Sequence, residues 1–214
     1  MLLAAGVEAV ELSALRLSEL PGLVAAAPDL DLERFRHVSV HAPSKYPRDE
    51  EPRILSLLAS LADRGWPVVV HPDAVFDYDA WRALGSRLLV ENMDKRKPVG
   101  RSAAELRQVF ERLPEAGLCL DLAHARQFDP TMVEAYRILR LHAARLRQIH
   151  ISDVGSSSKH TRLTFGPIHD FLDVARWIPE WVPVIVESPV AEGQIASEIE
   201  RARAALADAL PLSA

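Results

Sequence analysis

The chain has 214 residues, 49% of them hydrophobic, enough to bury a full core as a single domain over 1–214. Its net charge of -5 argues against broad nonspecific nucleic-acid binding, and no apolar run approaches the roughly 18 residues a membrane span requires. The single Cys119 lies inside an apolar run, where it reads as core and permits no intramolecular disulfide; with no basic-then-apolar leader, a reducing cytoplasm is the expected compartment.

Taken in order, Met1 to Gly6 reads as the end of a helix and Val7 to Leu12 alternates like a strand. Residues 14–36 are Leu- and Ala-rich but interrupted by Pro21-Gly22 and Pro28-Asp29, which predicts a broken helix. A second strand, His37 to Val40, ends in His41-Ala42-Pro43. Asp49, Glu50 and Glu51 open a helix at its positive end, Ile54, Leu57, Leu58 and Leu61 form its apolar face, and Gly65 closes it. Pro67 to Val70 is the third strand, ending in His71, and a short helix near 79–84 leads to Leu88-Leu89-Val90 and Glu91.

Ser102 and Glu105 form a capping box for the helix that follows. Leu118 to Leu120 is a buried strand ending in Asp121, with His124 three residues on. Asp129-Pro130 predicts a helix from there to about Leu146. The sixth strand runs from Leu146 toward Asp153 and is followed by a Gly/Ser-rich loop. A helix over about 169–178, a last strand from Val182 to Val186 ending in Glu187, and an Ala-rich helix near 194–209 complete the chain.

The polar residues closing these strands are Glu11, His41, His71, Glu91, Asp121, His150 and Glu187, spaced mostly at 30 residues. A strand–helix unit needs about 30 residues, and strict alternation implies parallel strands with right-handed crossovers. Seven such units predict a TIM (β/α)8-type barrel lacking its first strand, with a gap between the first and last strands or a second copy of the chain filling it. No glycine-rich phosphate fingerprint follows the first strand, which weighs against a Rossmann layout.

A barrel brings every strand end to one mouth. Five of the eight histidines, His41, His71, His124, His150 and His160, lie at strand ends or in the loops beyond, with Glu91, Asp121 and Glu187 beside them. Carboxylates crowded at a narrow mouth repel one another, and a divalent cation (Zn, Mn, Co or Mg) removes that cost.

The segments His-Ala-Pro (41–43), Val-His-Pro (70–72), Val-Glu-Asn (90–92), Leu-Asp-Leu-Ala-His (120–124), His-Ile-Ser-Asp (150–153) and Val-Glu-Ser (186–188) resemble the xylose isomerase-like TIM-barrel superfamily, in order and over nearly the whole chain. That superfamily includes sugar-phosphate isomerases and epimerases, and the endonuclease IV branch, AP endonuclease family 2. In the epimerase pattern the resemblance implies that Glu91, Asp121, His150 and Glu187 hold one metal, with Glu91 and Glu187 as the catalytic pair on either side of the substrate carbon. In the endonuclease pattern it adds His41, His71, His124 and His160 around further ions, up to three in all. The chain departs from that pattern at Ser158, where a carboxylate is expected, and at Thr164, where a glycine is expected.

Basic residues follow several strand ends: Lys45 and Arg48, then Lys95, Arg96, Lys97 and Arg101, then Lys159 and Arg162. In an acidic protein this placement points to an anionic substrate such as a sugar phosphate. Glu11, Lys95, Arg96, His124, Asp153 and Arg162 are the expected substrate contacts. Few aromatics accompany them, which does not favour nucleic acid. The sequence therefore favours a metal-dependent isomerase or epimerase of a sugar or sugar phosphate. A metallophosphoesterase of the endonuclease IV kind comes second, and a non-catalytic metal- or ligand-binding barrel third.

Overall fold

The computed structural model describes residues 6–207, so the helix end expected before Gly6 and the last residues of the helix expected to reach 209 lie outside the described part. Seven strands form one parallel sheet: β1 (Ala9–Ser13), β2 (His37–His41), β3 (Val68–Val70), β4 (Leu88–Glu91), β5 (Gly117–Asp121), β6 (Leu146–Ile151) and, after an intervening hairpin, β9 (Val184–Val186). They pair in chain order, β1-β2-β3-β4-β5-β6-β9. The sheet curls into a nearly closed barrel in which β1 and β9 are the two edges, as expected for a barrel one strand short. The hairpin, β7 (Asp153–Val154) and β8 (His160–Thr161), is antiparallel and separate from the barrel.

Alternation along the strands divides the buried side chains between two cores. Val40, Val68, Val70, Leu88, Val90, Leu118, Leu120, Ile149 and Ile151 face the surrounding helices in one continuous cluster. The barrel interior holds only a small second cluster, Val69, Leu89 and Cys119, with the fully buried Ser39 and Gln148 nearby. Cys119 is free, and burial pushes its thiol up, out of reach of nucleophilic work.

The helices are α1 (Leu20–Ala26), α2 (Glu51–Ala62), α3 (Tyr78–Trp81), α4 (Ala103–Arg112), α5 (Leu122–Phe128), α6 (Val133–Leu141), α7 (Phe165–Ala175) and α8 (Ile195–Ala205). None of the described helices is long and apolar enough to cross a membrane. Glu51 opens α2 as expected, but its buried carboxylate turns away from the helix axis. It accepts hydrogen bonds from the backbone N–H of Phe76 (2.7 Å) and Asp77 (2.9 Å) and from the indole of the fully buried Trp81 (2.7 Å), fixing the connection from β3 to α3.

Three expectations need correction. The helix expected from Asp129 to about Leu146 is shorter, α6 over Val133–Leu141, and a helix that was not expected, α5, precedes it. α5 begins directly after Asp121, whose carboxylate caps it by accepting from His124 N at 2.7 Å. Asp129 instead builds a turn, accepting from the backbone of Thr131 and Glu134, and buried Met132 adopts a left-handed conformation (φ 57°) before α6 starts at Val133. In the capping box, Ser102 does accept from Glu105 N at 3.2 Å, but the Glu105 carboxylate accepts from Arg101 N at 2.8 Å, one residue earlier than the box requires. The helix expected over 169–178 begins at Phe165, because the hairpin ends by Thr161 and frees the following residues to turn.

Candidate metal centre

The carboxyl ends of the strands carry the acids and imidazoles into one buried cluster. Glu91, at the end of β4, lies at its middle. One carboxylate oxygen is 3.0 Å from His41 Nε2 and 3.3 Å from His71 Nε2; the other is 3.1 Å from His124 Nδ1 and 3.8 Å from His150 Nδ1. His150 Nδ1 is also 3.4 Å from Glu187, and His124 Nδ1 is 3.4 Å from Asp121 Oδ2. His160, on β8, reaches the same cluster with Nδ1 3.6 Å from Glu187.

Three sets of donor atoms each gather within 4.8 Å: His41, His71 and Glu91; Glu91, Asp121, His150 and Glu187; and Asp121, His124 and His160. The first two share Glu91, and the last two share Asp121. Three imidazoles are oriented by a second contact. His41 Nδ1 lies 2.8 Å from Ala42 O, His160 Nδ1 lies 2.8 Å from Ser152 Oγ, and His124 Nδ1 lies 3.1 Å from Asn92 O. Asn92 also clamps Asp121, accepting from its N–H at 2.7 Å and donating to its carbonyl at 2.9 Å.

Without a cation the cluster relies on protons. Burial opposes a charge on His41, but the hydrogen bond and charge of Glu91, aided by Glu11, push it up to about 9. Burial likewise opposes His124, and Asp121, Glu91 and Glu187 raise it to about 10. Burial, reinforced by the neighbouring carboxylates, holds a proton on Glu187 up to about 8. Burial keeps His71 and His160 below the usual imidazole value.

Even so, Asp121 Oδ2, His150 Nδ1, Glu187 Oε2 and His71 Nδ1 are buried without an aligned hydrogen-bond partner. A buried polar atom left this way costs about 1–3 kcal/mol. The first three belong to residues of the shared donor sets, and a divalent cation among them would satisfy lone pairs that the protein does not. The residues therefore fit such an ion.

The expected substrate contacts distribute differently. His124 lies within the cluster. Lys95 is exposed on the loop after β4, with no ion-pair partner among the described residues. Arg96, beside it, donates to the Ser157 carbonyl and so ties that loop to the hairpin turn. Two of them have partners within the protein. Arg162 pairs with Glu198 of α8 at 3.3 Å, and Asp153 accepts from Thr164 at 3.1 Å and lies 3.6 Å from Arg126, so both brace the hairpin.

Glu11 likewise meets protein groups. The register pairs Glu11 with Ser39, and Ser13, not Glu11, lies opposite His41. Its carboxylate therefore sits one layer below the mouth and meets Ser39, Gln148 and His150 instead of solvent. Ser152, Gln148 and Ser39 were not identifiable from sequence as site-supporting residues. Asn92 had a signal, since it directly follows Glu91 at the strand end.

A family model described as a xylose isomerase-like TIM barrel matches residues 73–208. No curated protein sequence matches the chain. Among solved structures, endonuclease IV from Thermus thermophilus is 22% identical with a TM-score of 0.65, the alignment covering 97% of this chain and 92% of that one. A xylose isomerase-like TIM barrel protein from Mycobacterium smegmatis, in complex with magnesium, is 13% identical with a TM-score of 0.59, covering 97% and 86%. The 3-keto-D-glucoside 4-epimerase from E. coli is 15% identical with a TM-score of 0.56, covering 94% and 90%. At these identities the likeness is one of fold.

Proposed function

The chain belongs to the xylose isomerase-like TIM barrel family, and from that premise we propose that it is a metal-dependent phosphoesterase using more than one divalent ion, with a phosphodiester or phosphomonoester as substrate. The observation that carries this reading is the division of Glu91, one oxygen facing His41 and His71 and the other facing the His150 and His124 side. A carboxylate shared in this way suits adjacent ions. An isomerase working through one ion and an enediolate needs only the four donors Glu91, Asp121, His150 and Glu187 and leaves His41, His71, His124 and His160 without a chemical task. On this ground we rank the phosphoesterase above the isomerase or epimerase that the sequence favours. An imidazole-rich donor set suits zinc or manganese better than magnesium.

When bound, divalent ions neutralise charge on phosphate oxygens and lower the pKa of water. The chain's own residues supply the rest. Asn92 holds Asp121 and the Ala42 carbonyl holds His41, so the donors are set before substrate arrives. Glu187 has the most exposed side chain of the four-donor set, at 19%, and faces the incoming substrate. In hydrolysis the water oxygen would form a bond to phosphorus as the ester P–O bond breaks; Glu187, once bound cations have displaced the proton it holds in the metal-free protein, would take the proton from the water, and the departing alkoxide would take one from solvent. Exposed Lys95 offers a charge to the phosphate.

Assaying abasic-site DNA and a nitrophenyl phosphodiester beside a panel of ketose phosphates tests the choice. Metal-dependent ester cleavage, lowered together with metal content in His71→Ala, is expected. Isomerisation of a ketose phosphate without ester cleavage would overturn it.

A further inference from the structure

One acid of the barrel interior has no part in the donor sets. Glu11 projects from β1 into the layer beneath them, its side chain only 3% exposed. It accepts from Ser39 Oγ at 2.8 Å and from Gln148 Nε2 at 2.7 Å, and its two carboxylate oxygens lie 3.2 and 3.3 Å from His150 Nε2. The other ring nitrogen, Nδ1, has no aligned hydrogen-bond partner and points toward Glu187 and Glu91. The His150 ring thus stands between Glu11 below and the donor atoms above. His41, His124 and His160 are oriented by a carbonyl or a hydroxyl, whereas His150 alone among them has a carboxylate from outside the donor sets behind it.

We propose that Glu11 is a positioning residue for the metal centre: its carboxylate holds the proton of His150 on Nε2 and so presents the Nδ1 lone pair to the ion bound with Glu91, Asp121 and Glu187. This rests on the metal-centre reading above. Gln148 Nε2 also lies 2.8 Å from His150 Nε2 and could donate to it in the opposite tautomer. The carboxylate decides between them, because a lone pair on Nε2 would face both oxygens of Glu11 at hydrogen-bond distance, whereas a proton there is shared with them. The Gln148 amide already has the Glu11 carboxylate as an acceptor, which keeps its nitrogen on that side, and its oxygen lies 2.7 Å from His37 Nε2. Carboxylates behind metal-bound imidazoles commonly set tautomer and basicity in this way.

The same contact gives β1 a second function. On its outer edge β1 pairs with no strand among the described residues, and through Glu11 it is joined across the barrel to Gln148 and His150 of β6. A change in the seating of β1 would therefore be felt at the donor set.

Zinc binding by the full chain, measured by chelator competition on wild type, Glu11→Ala and Glu11→Gln, tests the proposal together with spectra of ¹⁵N-histidine-labelled, zinc-loaded protein. Glu11→Ala should weaken retention of one zinc per chain by about 10- to 100-fold. Glu11→Gln keeps an acceptor oxygen and should recover part of that loss, and it stands in if the alanine variant fails to fold. The wild-type and Gln spectra should show His150 protonated on Nε2 and bound through Nδ1. Unchanged zinc retention in folded Glu11→Ala, or a wild-type His150 bound through Nε2, would overturn the positioning role and leave the metal centre standing. A wild type that binds no zinc would overturn both.

Discussion

Replacing Glu91 with alanine is expected to remove more than one divalent ion per chain and to lower ester hydrolysis by at least about 100- to 1,000-fold, the range for loss of a group that stabilises transition-state charge. Glu91 is 1% exposed and belongs to two donor sets at once; Asp121 also belongs to two, but not to the one with His41 and His71, so neither can stand in for the other. The expectation is distinctive because a change at His71 touches only one set. Elemental analysis of purified Glu91→Ala and His71→Ala beside wild type checks it: a Glu91→Ala protein that lost no more metal than His71→Ala would contradict a shared carboxylate. Secondary structure by circular dichroism guards against reading misfolding as metal loss.

The second large effect is on pH. In the metal-free protein His41 is pushed up to about 9 and His124 to about 10, so both carry protons at neutral pH, and those protons must leave before the imidazoles can bind a cation. Zinc affinity should therefore rise with pH from 6 to 9, by up to about tenfold per pH unit for each proton displaced.

Stability of the metal-free protein should move the opposite way. A histidine whose pKa is raised in the folded state stabilises fully below its unfolded value near 6.5, and that contribution disappears as pH rises through the folded value, here about 9 for His41 and about 10 for His124. Glu187, held protonated up to about 8, adds a loss in the same direction between its unfolded value of 4.5 and 8. Thermal melting of chelator-treated protein should show Tm falling between pH 6 and 10, with saturating zinc opposing the fall. A zinc affinity independent of pH would contradict the protonation pattern of the cluster.

Much of this was legible in the sequence because it depends on local pattern. The seven strands were readable from short apolar runs, each closed by a polar residue near a 30-residue rhythm, and the parallel order follows from strand–helix alternation. His41, His71, Glu91, Asp121, His150 and Glu187 were recognisable as strand ends, and the barrel geometry then puts them together.

What was not legible depends on register or on long-range pairing. Glu11 looks like its counterparts in sequence, but β1 continues two residues further, to Ser13, and the pairing of Glu11 with Ser39 drops the carboxylate into the layer below. Arg162 looked like a free cation near His160, yet its partner Glu198 lies 36 residues away on α8. The α5 helix was missed because Asp121 serves both as the last residue of β5 and as a helix cap, so no turn signal separates the two elements. Asp129-Pro130 reads as a helix start, and only the left-handed backbone at Met132 moves the start to Val133.

The number of divalent ions bound per chain tests the central claim most directly. Zinc-loaded protein, freed of excess metal by gel filtration and analysed for metal and for protein by amino-acid content, should hold two or three ions per chain. A single ion per chain would contradict a multinuclear phosphoesterase and return the four-donor set Glu91, Asp121, His150 and Glu187 to the one-metal isomerase reading.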